Sequence, residues 1–319
     1  MSSPLLFALA SLIWGSTFWA ITFQVGEVAP AVSVAYRFGL ASALLFGWCL
    51  LRGDRLRLSW RAQRWLMLQG LATFAVSYIC TYSSEQYLVS ALVAVLFALM
   101  VFWNPIANRI AFGHALTWRI WCAAALALSG VVLLLSHSLD AAWREMTAGL
   151  SGHFLLGLAL ALTATIASTV GNVLVIKVRE HASNVLLTTA WAMLWGTVAV
   201  TIWVLLSGQS WYLPQSLSYW SALLYLSVCG SVIAFTAYFT LIARIGSQKA
   251  VYIGVVTPII SLLLSIQFEH YRPGPVEWIG MLLCLTGVAW AMRGDAPPAA
   301  TTPNITPNLS LPVTEPEPL

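Results

Sequence analysis

Charged side chains are what this 319-residue sequence lacks most: Asp, Glu, Lys and Arg make up 8% of it, where a soluble domain carries about a quarter. Hydrophobic residues reach 60% and the mean hydropathy is +0.83, which excludes a soluble globular protein and describes a polytopic membrane protein. The net charge of +4 does not point to nucleic acid, because the Arg residues stand in short loops between apolar spans, where they report topology. Cysteine is sparse too. Cys49, Cys80, Cys122, Cys229 and Cys284 form no CxxC pair and fall inside apolar spans with no His nearby. Neither a disulfide framework nor a zinc site is expected, and the five read as small buried apolar residues. A P-loop, a GxGxxG turn, an HExxH helix and a Ser-His-Asp set are all missing. His114, His137, His153, His181 and His270 lie at span ends or in loops. No catalytic residue, metal or cofactor is expected. Carboxylates avoid mid-membrane: Glu27, Glu85 and Glu269 all stand toward the outer interface. That argues against tight carboxylate-mediated proton coupling and for facilitated diffusion or exchange.

What is present is apolar sequence in helix-length pieces. A bilayer core of roughly 30 Å needs about 20 apolar residues per helix. Ten such spans read at 4–23, 31–51, 65–84, 88–109, 119–136, 153–176, 185–206, 219–242, 247–268 and 275–292. Met1-Ser-Ser-Pro4 carries no basic stretch of the kind that opens a signal peptide, so the first span is expected to be retained. Loop 52–64 holds Arg52, Arg55, Arg57, Arg61 and Arg64; Arg109, Arg119, Lys177, Arg179, Arg244, Lys249 and Arg293 follow on the same side, against Arg144 and Arg272 on the other. This charge asymmetry predicts that both termini are cytoplasmic, in a cell or inner membrane. Trp48, Trp60, Trp65, Trp118, Trp211 and Trp220 fall where interfacial anchors belong.

The chain also appears to be written twice. Leu126-Ala-Leu-Ser-Gly-Val131 matches Leu283-Cys-Leu-Thr-Gly-Val288 at an offset of 157 residues, and the same offset aligns Ser90 with Ser247. Ten spans divide into two fives, and because five is odd the second half enters the membrane inverted. The expected organisation is a first repeat at 1–136, an inter-repeat loop at 137–152, a second repeat at 153–292 and a tail at 293–319. Two inverted halves around a mid-membrane site are a common construction of secondary transporters. Seven of the fourteen prolines lie between Gly294 and Leu319, which reads as a disordered cytoplasmic tail. Its Asn304-Ile-Thr306 and Asn308-Leu-Ser310 fit a glycosylation pattern by chance.

Trp14-Gly15-Ser16-Thr17-Phe18, Tyr36-Arg37-Phe38, the stretch from Tyr252 to Pro258 and the pair Ser129-Gly130-Val131 and Thr286-Gly287-Val288 together resemble the drug/metabolite transporter superfamily, specifically its EamA-type exporters. The resemblance covers 4–292. It implies an all-α fold of ten transmembrane helices, with a central cavity lined by helices 1, 3, 4, 6, 8 and 9, that moves small organic metabolites, often outward. The Trp-rich chain is similar in kind to the aromatic amino-acid exporters of that superfamily. It departs from the family pattern where His114 and Tyr271 take positions often held by Glu, and where Val101 replaces a mid-helix proline that Pro258 retains in the ninth span.

The candidate site residues follow from polarity inside apolar spans. Tyr78 and Tyr82, four apart with Ser77 and Thr81 beside them, can stack a planar substrate or simply pack helices. Thr165, Thr169 and Asn172 form a polar stripe that either lines a cavity or bonds neighbouring helices. Trp14 and Thr17 share an arc of the first span, and Trp103 and Tyr238 complete an aromatic set. Pro258 removes a backbone donor and frees the carbonyl of Gly254, which makes the pair a candidate hinge. Arg37, the charged residue clearly within a span, binds an anionic group or braces the outer half of the bundle; the bracing reading fits a second helix that lies outside the cavity-lining set. The expected function is export of a small metabolite, most of all an amino acid, by alternating access in a monomer held in the lipid bilayer. A channel or scaffold without alternating states, and a carrier of other metabolites or drugs, are the alternatives.

Overall fold

The computed structural model describes residues 1–113, 118–134, 136, 153–245, 250 and 253–292, and within them all regular structure is helical. His114, His137, Arg144, Ser247, Lys249, Tyr252, the 137–152 loop and the 293–319 tail lie outside the described residues. Thirteen α-helical segments run in chain order: α1 Ser3–Thr22, α2 Pro30–Leu51, α3 Trp60–Gln69, α4 Tyr78–Ser84, α5 Ser90–Ala98, α6 Met100–Phe112, α7 Trp118–Leu134, α8 His153–Arg179, α9 Val185–Leu206, α10 Leu217–Ser227, α11 Ala234–Ile245, α12 Ile253–Phe268 and α13 Pro275–Met292. Each apolar span of the sequence overlaps a helix or a run of helical segments. Among the described residues, six stretches are long and apolar enough to cross a membrane, namely α1, α2, Ser90–Phe112, α8, α9 and Leu217–Ile245, with shorter apolar helices at Trp121–Leu134, Val256–Phe268 and Pro275–Gly287.

The ends of these helices are written in the sequence. Proline opens α1 and α2, where its missing N–H costs nothing. The side chains of Ser59, Asn184 and Ser216 accept hydrogen bonds from the backbone N–H of Ala62, Leu187 and Tyr219 and so cap α3, α9 and α10. Gly113 ends α6 in the left-handed conformation, with its N–H donated to the carbonyl of Arg109.

Two spans are interrupted by π-helical segments, Gly70–Ser77 between α3 and α4 and Val228–Ile233 between α10 and α11. Shifted by the repeat offset of 157, the first becomes 227–234 and brackets the second.

The side-chain distribution is that of a lipid-facing bundle. Leu12, Leu44, Val132, Ile166, Ile202, Leu263 and Leu282 are exposed, while Ser11, Ser33, Ser42, Thr165, Ser231 and Ser261 are buried. Lipid tails are as apolar as Leu, so helix association rests on close backbone approach and interhelical hydrogen bonds instead of apolar burial. Ser42 Oγ donates to the carbonyl of Ala190 across the α2–α9 contact at 3.0 Å, and Ser33 shares a 2.9 Å hydrogen bond with Tyr219 of α10.

The α7–α13 contact is made by glycine. A Cβ on Gly130 would stand 2.3 Å from the Cys284 nitrogen and 2.5 Å from the Gly280 oxygen, and one on Gly287 would stand 2.6 Å from the Ala127 nitrogen and 2.8 Å from the Ala123 oxygen. Adding the offset of 157 to 123, 127 and 130 gives 280, 284 and 287. The contact thus maps onto itself when the two halves are exchanged. Gly130→Val forces backbone against backbone, where overpacking costs about 1–3 kcal/mol; the expected outcome is a lowered unfolding midpoint in detergent, and an unchanged midpoint would show that α7 and α13 do not meet here.

Candidate transport cavity

Six stretches of chain converge on one cavity of about 120 Å³, measured as the space open to the centres of water molecules. Its walls come from α1 (Trp14, Thr17, Phe18, Ile21), the α3–α4 span (Thr73, Tyr78, Thr81), α5 and α6 (Ala94, Phe97, Ala98, Met100, Val101), α8 (Ser168, Asn172), α11 (Phe235, Tyr238) and α12 (Ile253, Gly254, Thr257, Pro258). These are the first, third, fourth, sixth, eighth and ninth spans. Apolar and aromatic groups make most of the lining, hydroxyls and one amide supply the polar points, and no lining side chain carries a formal charge. The rings cluster: the Trp14 ring centroid lies 5.0 Å from Phe235 and 4.9 Å from Tyr238. Trp14 itself is held by its indole N–H on the carbonyl of Gly230 at 3.2 Å.

Behind this wall lies a buried polar network around Arg37, which is 1% exposed. Its Nε donates to Ser231 Oγ at 3.0 Å and its Nη1 to the Tyr82 hydroxyl at 3.3 Å. Tyr82 donates in turn to Gln24 Oε1 at 2.9 Å, and Ser231 to the carbonyl of Leu226 at 2.9 Å. The guanidinium also stacks on the ring of Tyr78, 4.8 Å from its centroid. One Arg therefore ties α1, α2, α4 and the second π-helical segment together.

Two carboxyl groups stand beyond the Thr81 end of the cavity. Glu85 follows the last residue of α4, one turn beyond Thr81, and is 8% exposed; neither of its oxygens has a hydrogen-bond partner among the described residues. Burial first, then the neighbouring Glu269, hold its carboxyl well above the ordinary carboxylate range, with Arg37 opposing. Glu269 accepts from the Ser90 hydroxyl, and from the Ser90 N–H at 3.3 Å. Ser90 also meets Ser265 at 2.9 Å, which cross-links the start of α5 to the end of α12.

The structure brings Trp14, Thr17, Tyr78, Asn172, Tyr238, Gly254 and Pro258 together on the cavity wall. Tyr82, Thr169 and Trp103 are not among the lining residues. Tyr82 is buried in the Arg37 network. Thr169 turns its hydroxyl onto the carbonyl of Thr165, as helix-buried threonines do. Trp103 is half-buried, with its indole N–H unpartnered. Asn172 reaches back to Asn104 of α6, Nδ2 to Oδ1 at 3.5 Å. Thr73, Ser168 and Thr257 line the cavity without having been singled out. Ser168 stands one turn before Asn172 on the same face of α8, and a Thr-Pro step inside an apolar helix was the signal for Thr257.

A helical bundle in lipid, built around an uncharged polar-aromatic cavity, has the form of a membrane transporter. The comparison with known proteins gives the class its family: residues 1–136 and 155–293 match the EamA-like transporter family, and the chain belongs to it. It is 28% identical over 294 residues to the uncharacterized inner membrane transporter YedA of Escherichia coli K12, covering 91% of each chain. It is 26% identical over 294 residues to an uncharacterized transporter of Archaeoglobus fulgidus, covering 89% of this chain and 95% of that one. A solved crystal structure superposes with a TM-score of 0.65 at 20% identity over 91% of this chain and 96% of the other, which shows a shared fold.

Tyr82→Phe strips Arg37 Nη1 and Gln24 of a partner without touching the cavity; the loss of a buried hydrogen bond to a charged group costs about 1.5–3 kcal/mol, to be read as a lowered unfolding midpoint. Because Glu85 keeps its proton in the folded state above the pH at which the unfolded chain releases it, stability falls as pH rises beyond the ordinary carboxylate range. Glu85→Gln is expected to flatten the dependence of the unfolding midpoint between about pH 5 and 8, and an unaltered slope would assign that dependence to another group.

Proposed function

We propose that this EamA-family protein is a secondary carrier that exports small organic metabolites, above all amino acids of aromatic or hydrophobic kind, by alternating access and without tight proton coupling. The observation that carries the reading is the chemistry of the cavity lining. Rings of Trp14, Tyr78, Phe235 and Tyr238 offer faces to a planar apolar side chain, while Thr17, Thr73, Thr81, Ser168, Asn172 and Thr257 offer hydrogen bonds to polar ends. An organic cation would call for a buried carboxylate in the lining, and the lining has none.

The architecture we propose is ten membrane-crossing helices in two inverted repeats, 1–136 and 153–292, with both termini cytoplasmic. The self-exchanging α7–α13 contact and the two π-helical segments one repeat apart support the inversion, and twelve basic residues against two in alternate loops support the orientation. Gly254 and Pro258 both face the cavity from α12, which supports their use as the pivot of that helix. One chain encloses the cavity, which supports a monomer in the bilayer as the working unit.

Counterflow in proteoliposomes with labelled amino acids, with and without a pH gradient, tests the reading. Saturable exchange that ignores the gradient is expected. Tyr78→Ala or Trp14→Ala is expected to weaken apparent affinity roughly two- to tenfold, the range of one aromatic contact. Non-saturable leak would favour a channel, and no flux above protein-free liposomes for any amino acid would remove the amino-acid assignment.

A further inference from the structure

Two of the three guanidinium nitrogens of Arg37 hold helices together, and the third does not. Nε and Nη1 are bonded to Ser231 and Tyr82, but Nη2 is buried with no hydrogen-bond partner among the described residues. A buried charge-bearing N–H group without a protein partner is costly, on the scale of a lost charge-assisted hydrogen bond. No acid forms an ion pair with this guanidinium among the described residues: the salt bridges there are Arg52–Asp54 and Lys177–Glu180. Glu85 is the carboxyl group nearest in electrostatic effect, yet both its oxygens are unbonded. The cation is present in the fold, and its hydrogen-bonded anion is not.

The surroundings of Nη2 say where that anion comes from. The residue beside it is Gly230, whose absent Cβ would stand 3.0 Å from Nη2 and 2.8 Å from Thr17 Cγ2. Thr17 lines the cavity, so a position with no side chain is the spacer between the cavity wall and the free nitrogen. On another side the guanidinium is covered by Tyr78, a ring that also lines the cavity. Arg37 stands immediately behind two wall residues, Thr17 and the ring of Tyr78. The carbonyl of Gly230 holds the indole of Trp14, the hub of the aromatic cluster.

We propose that Arg37 Nη2 anchors the carboxylate of the transported molecule, which enters past Thr17 and Tyr78 and leaves its apolar side chain against Trp14, Phe235 and Tyr238. The inference rests on the export reading above and sharpens it to substrates that carry a carboxylate. Bracing and binding are then one arrangement. Ser231 and Tyr82 fix the planar guanidinium by two nitrogens, and the remaining edge is pre-oriented for an oxygen anion. Bound substrate would fasten the second and eighth spans through the same side chain.

Matched pairs test it: tryptophan against tryptamine, and phenylalanine against phenethylamine, with dissociation constants measured on the purified full-length protein in detergent. Wild type is expected to bind each acid roughly ten- to hundredfold tighter than its amine, the worth of one charge-assisted hydrogen bond. Arg37→Gln is expected to abolish that ratio. Gly230→Ala, which removes neither Arg37 nor the Ser231 and Tyr82 hydroxyls that brace it, is expected to narrow it by crowding Nη2. Equal binding of acid and amine by the unmodified protein would overturn the proposal even if Arg37→Gln does not fold. So would an unchanged ratio in Arg37→Gln or in a folded Gly230→Ala. Acid-selective binding without counterflow would overturn the export reading and leave the carboxylate site standing, whereas saturable counterflow blind to the carboxylate would do the reverse.

Discussion

A backbone in lipid has no water to satisfy its polar groups, and everything else in this structure follows from that constraint. It permits helices or closed barrels across the membrane, here helices, and makes a buried polar side chain without a partner costly. Many of the buried serines and threonines find one either on their own helix, as Thr81 and Thr169 do with the carbonyls four residues back, or across helices, as Ser42 and Ser33 do. The first kind is neutral filling. The second sets which helices meet.

Arg37 is the most demanding case. A guanidinium cannot shed its proton to escape an apolar site, so Ser231, Tyr82 and, through Tyr82, Gln24 are arranged to receive it. That cost is difficult to explain as scaffolding alone, because a glycine contact of the α7–α13 kind joins helices without burying charge. In the reading proposed above, the uncharged lining sorts shape and ring character, and the charge behind it sorts by sign.

The all-helical membrane character of the fold was legible in the sequence, because span length and apolar composition are signals that tertiary packing does not overwrite. The site was legible in part. The Thr165-Thr169-Asn172 stripe picked the right helix, but Ser168 and Asn172 share the cavity face while Thr165 and Thr169 are buried beside it. Polarity alone does not tell a cavity from a helix contact about a third of a turn away. Tyr82 missed the wall for the same reason. Thr73 could not be found from an α-helical period at all. It lies five residues before Tyr78, which puts the two on different faces of an α-helix, and only the wider π-helical turn lets both reach the cavity.

The two π-helical segments also bear on how much the chain can vary in length. In an ordinary transmembrane helix, adding or removing one residue turns every side chain beyond the change by about 100° and shifts it 1.5 Å along the axis. A wide turn is already an α-helix with a residue too many, so a single deletion there can be absorbed by tightening the turn. Spans three and eight each contain such a turn, in span three at the cavity wall itself and in span eight just ahead of the wall residue Phe235. Elsewhere in the bundle the residue count between membrane faces is rigid, whereas in these two spans it has slack of about one residue, and both places sit one repeat apart.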